Sequence, residues 1–83
     1  MNKLETLKSA LVARNDEVEG YQVNIDNYER AIAKIDAEYA DNPPIVDFRN
    51  KLEEMLGTNK IEQLKAIIIR DVVADQITEL EAL

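Results

Sequence analysis

The chain has 83 residues, of which 17 are Asp or Glu and ten are Lys or Arg, and its formal net charge is −7. It contains no His and no Cys. Disulfides, Cys or His ligands for metals, and an imidazole general base are therefore excluded. We expect no catalytic residue, no cofactor and no metal site, and the sequence predicts an architecture more clearly than a function.

The length and the charge also limit the class of protein. A chain this short forms one domain with a small core, so it needs tight helix packing or oligomerisation for stability. The acidic balance argues against direct binding of nucleic acid or of an anionic membrane, and it is compatible with a basic protein partner. No unbroken apolar run is longer than the four residues from Ala66 to Ile69, and the first residues do not resemble a targeting segment, so a cytoplasmic location is expected.

The first predicted element is a helix over about residues 2–40. From Leu4 to Tyr39, apolar or aromatic residues recur at alternating spacings of three and four, and Arg14 is the one exception. A pattern sustained over this length predicts a coiled-coil-like seam packed against a partner helix. The predicted seam residues are Leu4, Leu7, Leu11, Val18, Tyr21, Ile25, Tyr28, Ile32 and Ile35.

The segment 41–44 predicts a turn, because the tandem residues Pro43 and Pro44 cannot continue the preceding helix. A second helix is predicted over about residues 45–56. Within it the alternating spacing resumes at Ile45, Phe48, Leu52 and Met55.

The second arm is predicted to be broken near Gly57. Glycine is a typical residue after a helix end, and Asn59 is a typical cap of the next helix, so we predict a break at 57–59 and a last helix over about 60–82. This last helix carries two apolar stripes, which indicates contact with more than one neighbour. One stripe is Ile61, Leu64, Ile68 and Val72, and the other is Ala66, Ile69, Val73, Ile77 and Leu80.

The two arms are almost equal in length, which predicts an all-α fold, a long antiparallel helical hairpin. If Tyr39 packs near Val46, the numbers of facing residues add to about 85, and Arg14 faces Asp71. A polar pair at a core position can set the register at some cost in stability. The alternative is that Arg14 extends its side chain to solvent.

The second stripe of the last helix predicts self-association. In a monomeric hairpin it would leave Ile69, Val73, Ile77 and Leu80 partly exposed. A contiguous apolar patch of this kind usually marks an interface, and a two-fold homodimer forming a helical bundle is the simplest way to cover it.

Acidic residues are unevenly distributed along the chain. Residues 15–29 contain five acids and no base, and residues 71–83 contain four acids and no base. Asp71, Asp75 and Glu79 share one helix face, but without His they indicate a solvated face rather than a metal site. The candidate acidic partner surface is Asp16, Glu17, Glu19, Asp26, Glu29, Asp75 and Glu79. The alternative is that these charges only maintain solubility.

Two functional hypotheses follow from these patterns. The first is a non-enzymatic protein–protein interaction module, acting as an adaptor, a regulator or an assembly factor, and forming a homodimer. The second is an acidic inhibitor that imitates nucleic acid and occupies the basic cleft of a nucleic-acid-binding protein, as a phage anti-defence protein would.

Overall fold

The computed structural model describes residues 2–83 and confirms the predicted all-α helical hairpin. Helix α1 spans Lys3–Glu38 and helix α2 spans Pro43–Glu81. The two helices lie side by side and antiparallel in a rod measuring 62 × 17 × 15 Å. No helix in the described part of the chain combines the length and the apolar character needed to cross a membrane.

Helix α1 begins and ends where its polar and proline residues dictate. The side-chain Oδ1 of Asn2 accepts a hydrogen bond from the backbone N–H of Glu5 at 2.8 Å, which caps the first turn. At the other end, the N–H of Tyr39 donates to the carbonyl of Ile35 at 2.8 Å. The helix stops there because the prolines that follow cannot extend it.

Helix α2 starts directly at the two prolines. Asn42 is its cap: the Asn42 carbonyl accepts a hydrogen bond from the N–H of Val46 at 2.9 Å, and its side-chain oxygen accepts one from Ile45 at 3.4 Å. Pro43 and Pro44 occupy the first helical positions, where a backbone N–H would have no partner within the helix.

The predicted break at 57–59 is wrong, because α2 continues through it as one helix. Gly57 does not adopt a positive φ, so it does not end a helix. The amide of Asn59 donates to the carbonyl of Met55 at 2.8 Å within the helix instead of capping a new one. A glycine in a helix interior costs about 1 kcal/mol relative to alanine, which the packing of a long helix can offset.

Polar contacts across the hairpin establish its register. Arg49 donates to Asp36 at 2.6 Å, and Gln63 donates to Gln22 at 2.9 Å. In both cases the two residue numbers add to 85, the value expected from the sequence. The ion pair between Lys60 and Glu29, at 3.6 Å, lies between these two contacts along the rod.

The core is a single seam between the two helices. Its buried side chains are Ile25 and Ile35 on α1, and Leu52, Ala66 and Ile77 on α2. Eleven of the sixteen positions on α2 that are buried or half-buried follow one unbroken alternation of four and three residues. These inner positions are Ile45, Arg49, Leu52, Leu56, Asn59, Gln63, Ala66, Arg70, Val73, Ile77 and Leu80.

Two of the four residues that resume the alternating spacing in the sequence do not lie at the inner positions of α2. Phe48 and Met55 are exposed, while Arg49 and Leu56 take the inner positions beside them. The apolar pattern alone favoured Phe48 and Met55, because an arginine at an inner position hides the true spacing.

Candidate interaction surfaces

The largest group of exposed apolar side chains lies on α2, on the side turned away from α1. Its members are 47–59% exposed and span about 16 Å along the helix. They are spaced so that they share one side of the helix. We call this group the outer stripe: Ile61, Leu64, Ile68, Ile69 and Val72.

The outer stripe is not the apolar face predicted from the sequence. Of the predicted interface residues, only Ile69 belongs to it. Val73, Ile77 and Leu80 face α1, and Ile77 is buried. The two predicted stripes therefore exchange roles. The predicted break at 57–59 made the orientation of the last helix independent of that of residues 45–56, whereas in one continuous helix the earlier residues determine which face turns toward α1.

Helix α1 offers no comparable apolar surface. Its nine predicted seam residues are buried or half-buried against α2: Leu4, Leu7, Leu11, Val18, Tyr21, Ile25, Tyr28, Ile32 and Ile35. Within the described part of α1, the exposed large apolar side chains are Val12 and Val23, which lie far apart in sequence. The surplus apolar surface of the hairpin is therefore concentrated on α2.

Charged side chains flank the outer stripe in a fixed order. Lys60 and Lys65 lie toward its N-terminal end, and Asp71 and Asp75 lie toward its C-terminal end. Lys65 pairs with Glu62 at 2.9 Å. Asp75 makes no ion pair within residues 2–83, and all four side chains remain exposed.

The predicted pair of Arg14 with Asp71 does not form. Arg14 pairs with Glu17 of its own helix at 3.0 Å, and Asp71 accepts from its neighbour Arg70 at 3.1 Å. The reason is again the rotation of α2 about its own axis. Arg70 occupies the inner position at the level of Arg14, and Asp71 points away from α1.

The middle of the hairpin is polar on the α2 side. Gln63 donates to the backbone carbonyl of Val18 at 3.2 Å as well as to Gln22. Asn24 donates to Asn59 at 3.4 Å. No buried side-chain nitrogen or oxygen in the described residues lacks a hydrogen-bond partner, so this polar layer is satisfied internally.

One ion network near the closed end has a clear electrostatic effect. Arg49 contacts Asp36 through two nitrogens, at 2.6 and 3.2 Å, and Glu53 at 2.9 Å. The hydrogen bond from Arg49 lowers the pKa of Asp36 below its ordinary value, against a smaller opposing effect of desolvation. The same contacts raise the pKa of Arg49. The network holds the two helices together, and it lies away from the outer stripe.

The predicted acidic residues are all exposed, but they do not form one cluster. Glu17 pairs with Arg14, Glu29 pairs with Lys60, and Asp26 accepts from Gln22 at 2.9 Å. The remaining four make no ion pair within residues 2–83: Asp16, Glu19, Asp75 and Glu79. In the observed register, residues 15–29 lie opposite about 56–70, so the acidic segment 71–83 occupies a different level of the rod.

The described residues contain no pocket and no group of three or more acidic side chains arranged to hold a metal ion. No protein-family model matches the sequence, and no significant similarity to a curated protein or to a solved structure was found.

Proposed function

We propose that the protein is a non-enzymatic interaction module that binds another polypeptide chain through the outer stripe of α2. The observation that carries this proposal is the stripe itself: five large apolar side chains, each about half exposed, on a helix whose opposite face already packs against α1. An adaptor, a regulator or an assembly factor would use such a surface.

The distribution of apolar residues supports a binding surface rather than chance exposure. Single exposed apolar residues are normal on proteins, whereas contiguous patches usually mark contacts. Complete burial of the half-exposed stripe would contribute roughly 5 kcal/mol before the costs of association are subtracted. That is enough to make the stripe the centre of an interface.

A pair of matched double variants tests the proposal. Ile61→Glu with Ile68→Glu places charges in the stripe, and Val12→Glu with Val23→Glu places them at similarly exposed positions of α1, 62% and 58%. Tagged wild-type and variant proteins would be used to isolate bound proteins from cells, after circular dichroism has shown equal helix content. We expect the stripe variant to lose proteins that the wild type and the α1 variant retain. Identical sets for all three would contradict the proposal.

The second candidate function is that of an acidic inhibitor occupying a basic cleft. It is favoured by the charge separation between facing segments: residues 15–29 carry five acids and no base, whereas residues 57–70 carry three bases and one acid. An extended negative surface on one side of a rod is suited to a basic cleft.

Charge reversal on the outer side of α1 tests this second candidate. Asp16→Lys with Glu19→Lys should abolish competition with DNA for purified DNA-binding proteins. The control, Asp47→Lys with Glu54→Lys, changes the charge equally on α2 and should retain competition. If both variants compete as the wild type does, the acidic segment of α1 is not a binding surface.

A further inference from the structure

We propose that the occupant of the outer stripe is a second copy of this chain, docked antiparallel about a two-fold axis near the middle of the stripe. The assembly would be a bundle of four helices, with the two α2 helices in contact and the two α1 helices outside. This inference rests on the proposed function, because it names the partner of the same surface.

The hairpin exposes more surface than a compact monomer of its mass, and the excess is similar to the area that a dimer interface covers. The solvent-accessible surface is 5978 Å², whereas a compact monomer of this mass exposes about 5,000 Å². The excess is therefore roughly 1,000 Å² per chain, and a standard interface removes about 800 Å² per partner. Removing about 800 Å² per chain by pairing along α2 would leave about 5,200 Å² per chain, close to the area that a compact monomer of the same mass exposes.

The order of charges along the stripe favours a second copy in the antiparallel direction. Under a two-fold axis near residues 66 and 67, Lys60 of one chain lies at the level between Asp71 and Asp75 of the other. Parallel pairing would instead place Lys60, Lys65, Asp71 and Asp75 each beside its own equivalent. The ion pairs that Lys60 and Lys65 make within the chain are exposed and weak, so they can rearrange at little cost.

The remaining surfaces explain why the assembly should close at two chains. A two-fold contact uses the stripe of both copies, so none of it is left to bind a third. The outer sides of α1 carry the acidic segment 15–29, and they repel each other. Growth through an α2 to α1 contact would leave a stripe free at one end of the array and an α1 face free at the other, and it would appear as a mass that keeps rising with concentration.

Light scattering of the full chain across a dilution series is the first test. We expect a mass of about 19 kDa, twice the 9.4 kDa of the chain. Ile68→Glu should weaken association at least 100-fold with helix content unchanged, and Val23→Glu on α1 should remain dimeric. A wild-type monomer at all concentrations, a mass that rises beyond the dimer, or an undisturbed Ile68→Glu dimer would each overturn the inference.

Single cysteines test the direction of pairing, and the natural chain contains none that would interfere. Thr58→Cys and Asp75→Cys lie on either side of the stripe and are exposed. With a short bismaleimide, neither variant alone should crosslink, whereas an equal mixture of the two should. Ile68→Cys, near the axis, should crosslink with itself. Crosslinking of Thr58→Cys alone, or none in the mixture, would overturn the antiparallel arrangement.

The tests separate the two proposals. If the chain is monomeric but the stripe variant still loses bound proteins in cells, the second-copy inference fails and the interaction module stands. If the chain is monomeric and the stripe variant retains every bound protein, both proposals fail.

Discussion

Arg14 and Arg70 occupy the same level of the hairpin, and each is neutralised by an acid of its own helix rather than by a residue across the seam. Two guanidinium groups therefore interrupt a seam whose adjacent inner residues on both helices are apolar: Leu11, Val18, Ala66 and Val73. Surface ion pairs of this kind are worth at most about 1 kcal/mol, so they do not compensate for the missing apolar contact. The layer is a weak point of the fold.

Arg14→Leu should therefore stabilise the hairpin. The change removes one of two like charges and adds an apolar side chain to the seam, for a gain of about 1 kcal/mol in the free energy of unfolding. Urea unfolding followed by circular dichroism measures it. Arg30→Leu, at an exposed position with no ion pair in the described residues, should change stability little. A loss of stability in Arg14→Leu would show that the arginine contributes to the seam.

The contact between Asp36 and Arg49 predicts a pH dependence of stability. The pKa of Asp36 is lowered in the folded chain, so its contribution is complete above the unfolded value of about 3.9 and is lost as the pH falls through the folded value. Asp36→Asn should be less stable than the wild type at neutral pH, and the difference should shrink in acid. Asp47→Asn, which alters an exposed carboxylate without an ion pair among residues 2–83, should show no such trend.

Of the two helices, α1 was predictable almost completely and α2 was not. The seam of α1 is apolar at nearly every inner position, and the prolines define its end, so local pattern and packing agree. On α2, four of the eleven inner positions are polar: Arg49, Asn59, Gln63 and Arg70. Local signals at Gly57 and Asn59 therefore outweighed the true spacing, which becomes visible only over the full length of α2. Continuing the alternation from Ile45 to Leu80 would have identified it, because seven of those eleven positions are apolar.

Gly57→Ala distinguishes a continuous α2 from a broken one. In the continuous helix, an added Cβ meets no atom within 4 Å, and the higher helix propensity of alanine should raise stability by about 1 kcal/mol. At a helix end with positive φ, alanine would be strained and would lower stability. Thermal unfolding decides between these results, and Gly20→Ala, in the middle of α1, should shift the melting temperature in the same direction.

At the scale of the whole molecule, the hairpin has two different sides. One side presents the acidic segment of α1, and the other presents the outer stripe of α2. Two apolar stripes on one helix were enough to predict that the second arm carries an exposed apolar face. Which of the two stripes is exposed depends on how α2 is rotated about its own axis relative to α1. The inner positions Ile45 and Leu52, at the start of α2, belong to the same alternation as those beside the stripe, so the residues near the stripe do not by themselves identify the exposed face.

The net charge of −7 opposes the association of two copies through their outer stripes, but it favours the binding of a basic partner to the acidic side of α1. The salt dependence of binding therefore tests which surface a partner uses. Two copies joined by their outer stripes repel each other overall, so raising the salt from about 0.05 M to about 0.5 M should tighten the dimer. The Lys–Asp pairs at the stripe ends set direction but are too weak to reverse this trend. A basic partner on the acidic side of α1 should dissociate under the same change. Sedimentation measurements at both salt concentrations separate the effects, and a dimer that weakens with salt would show that charge pairs, rather than the apolar stripe, hold it together.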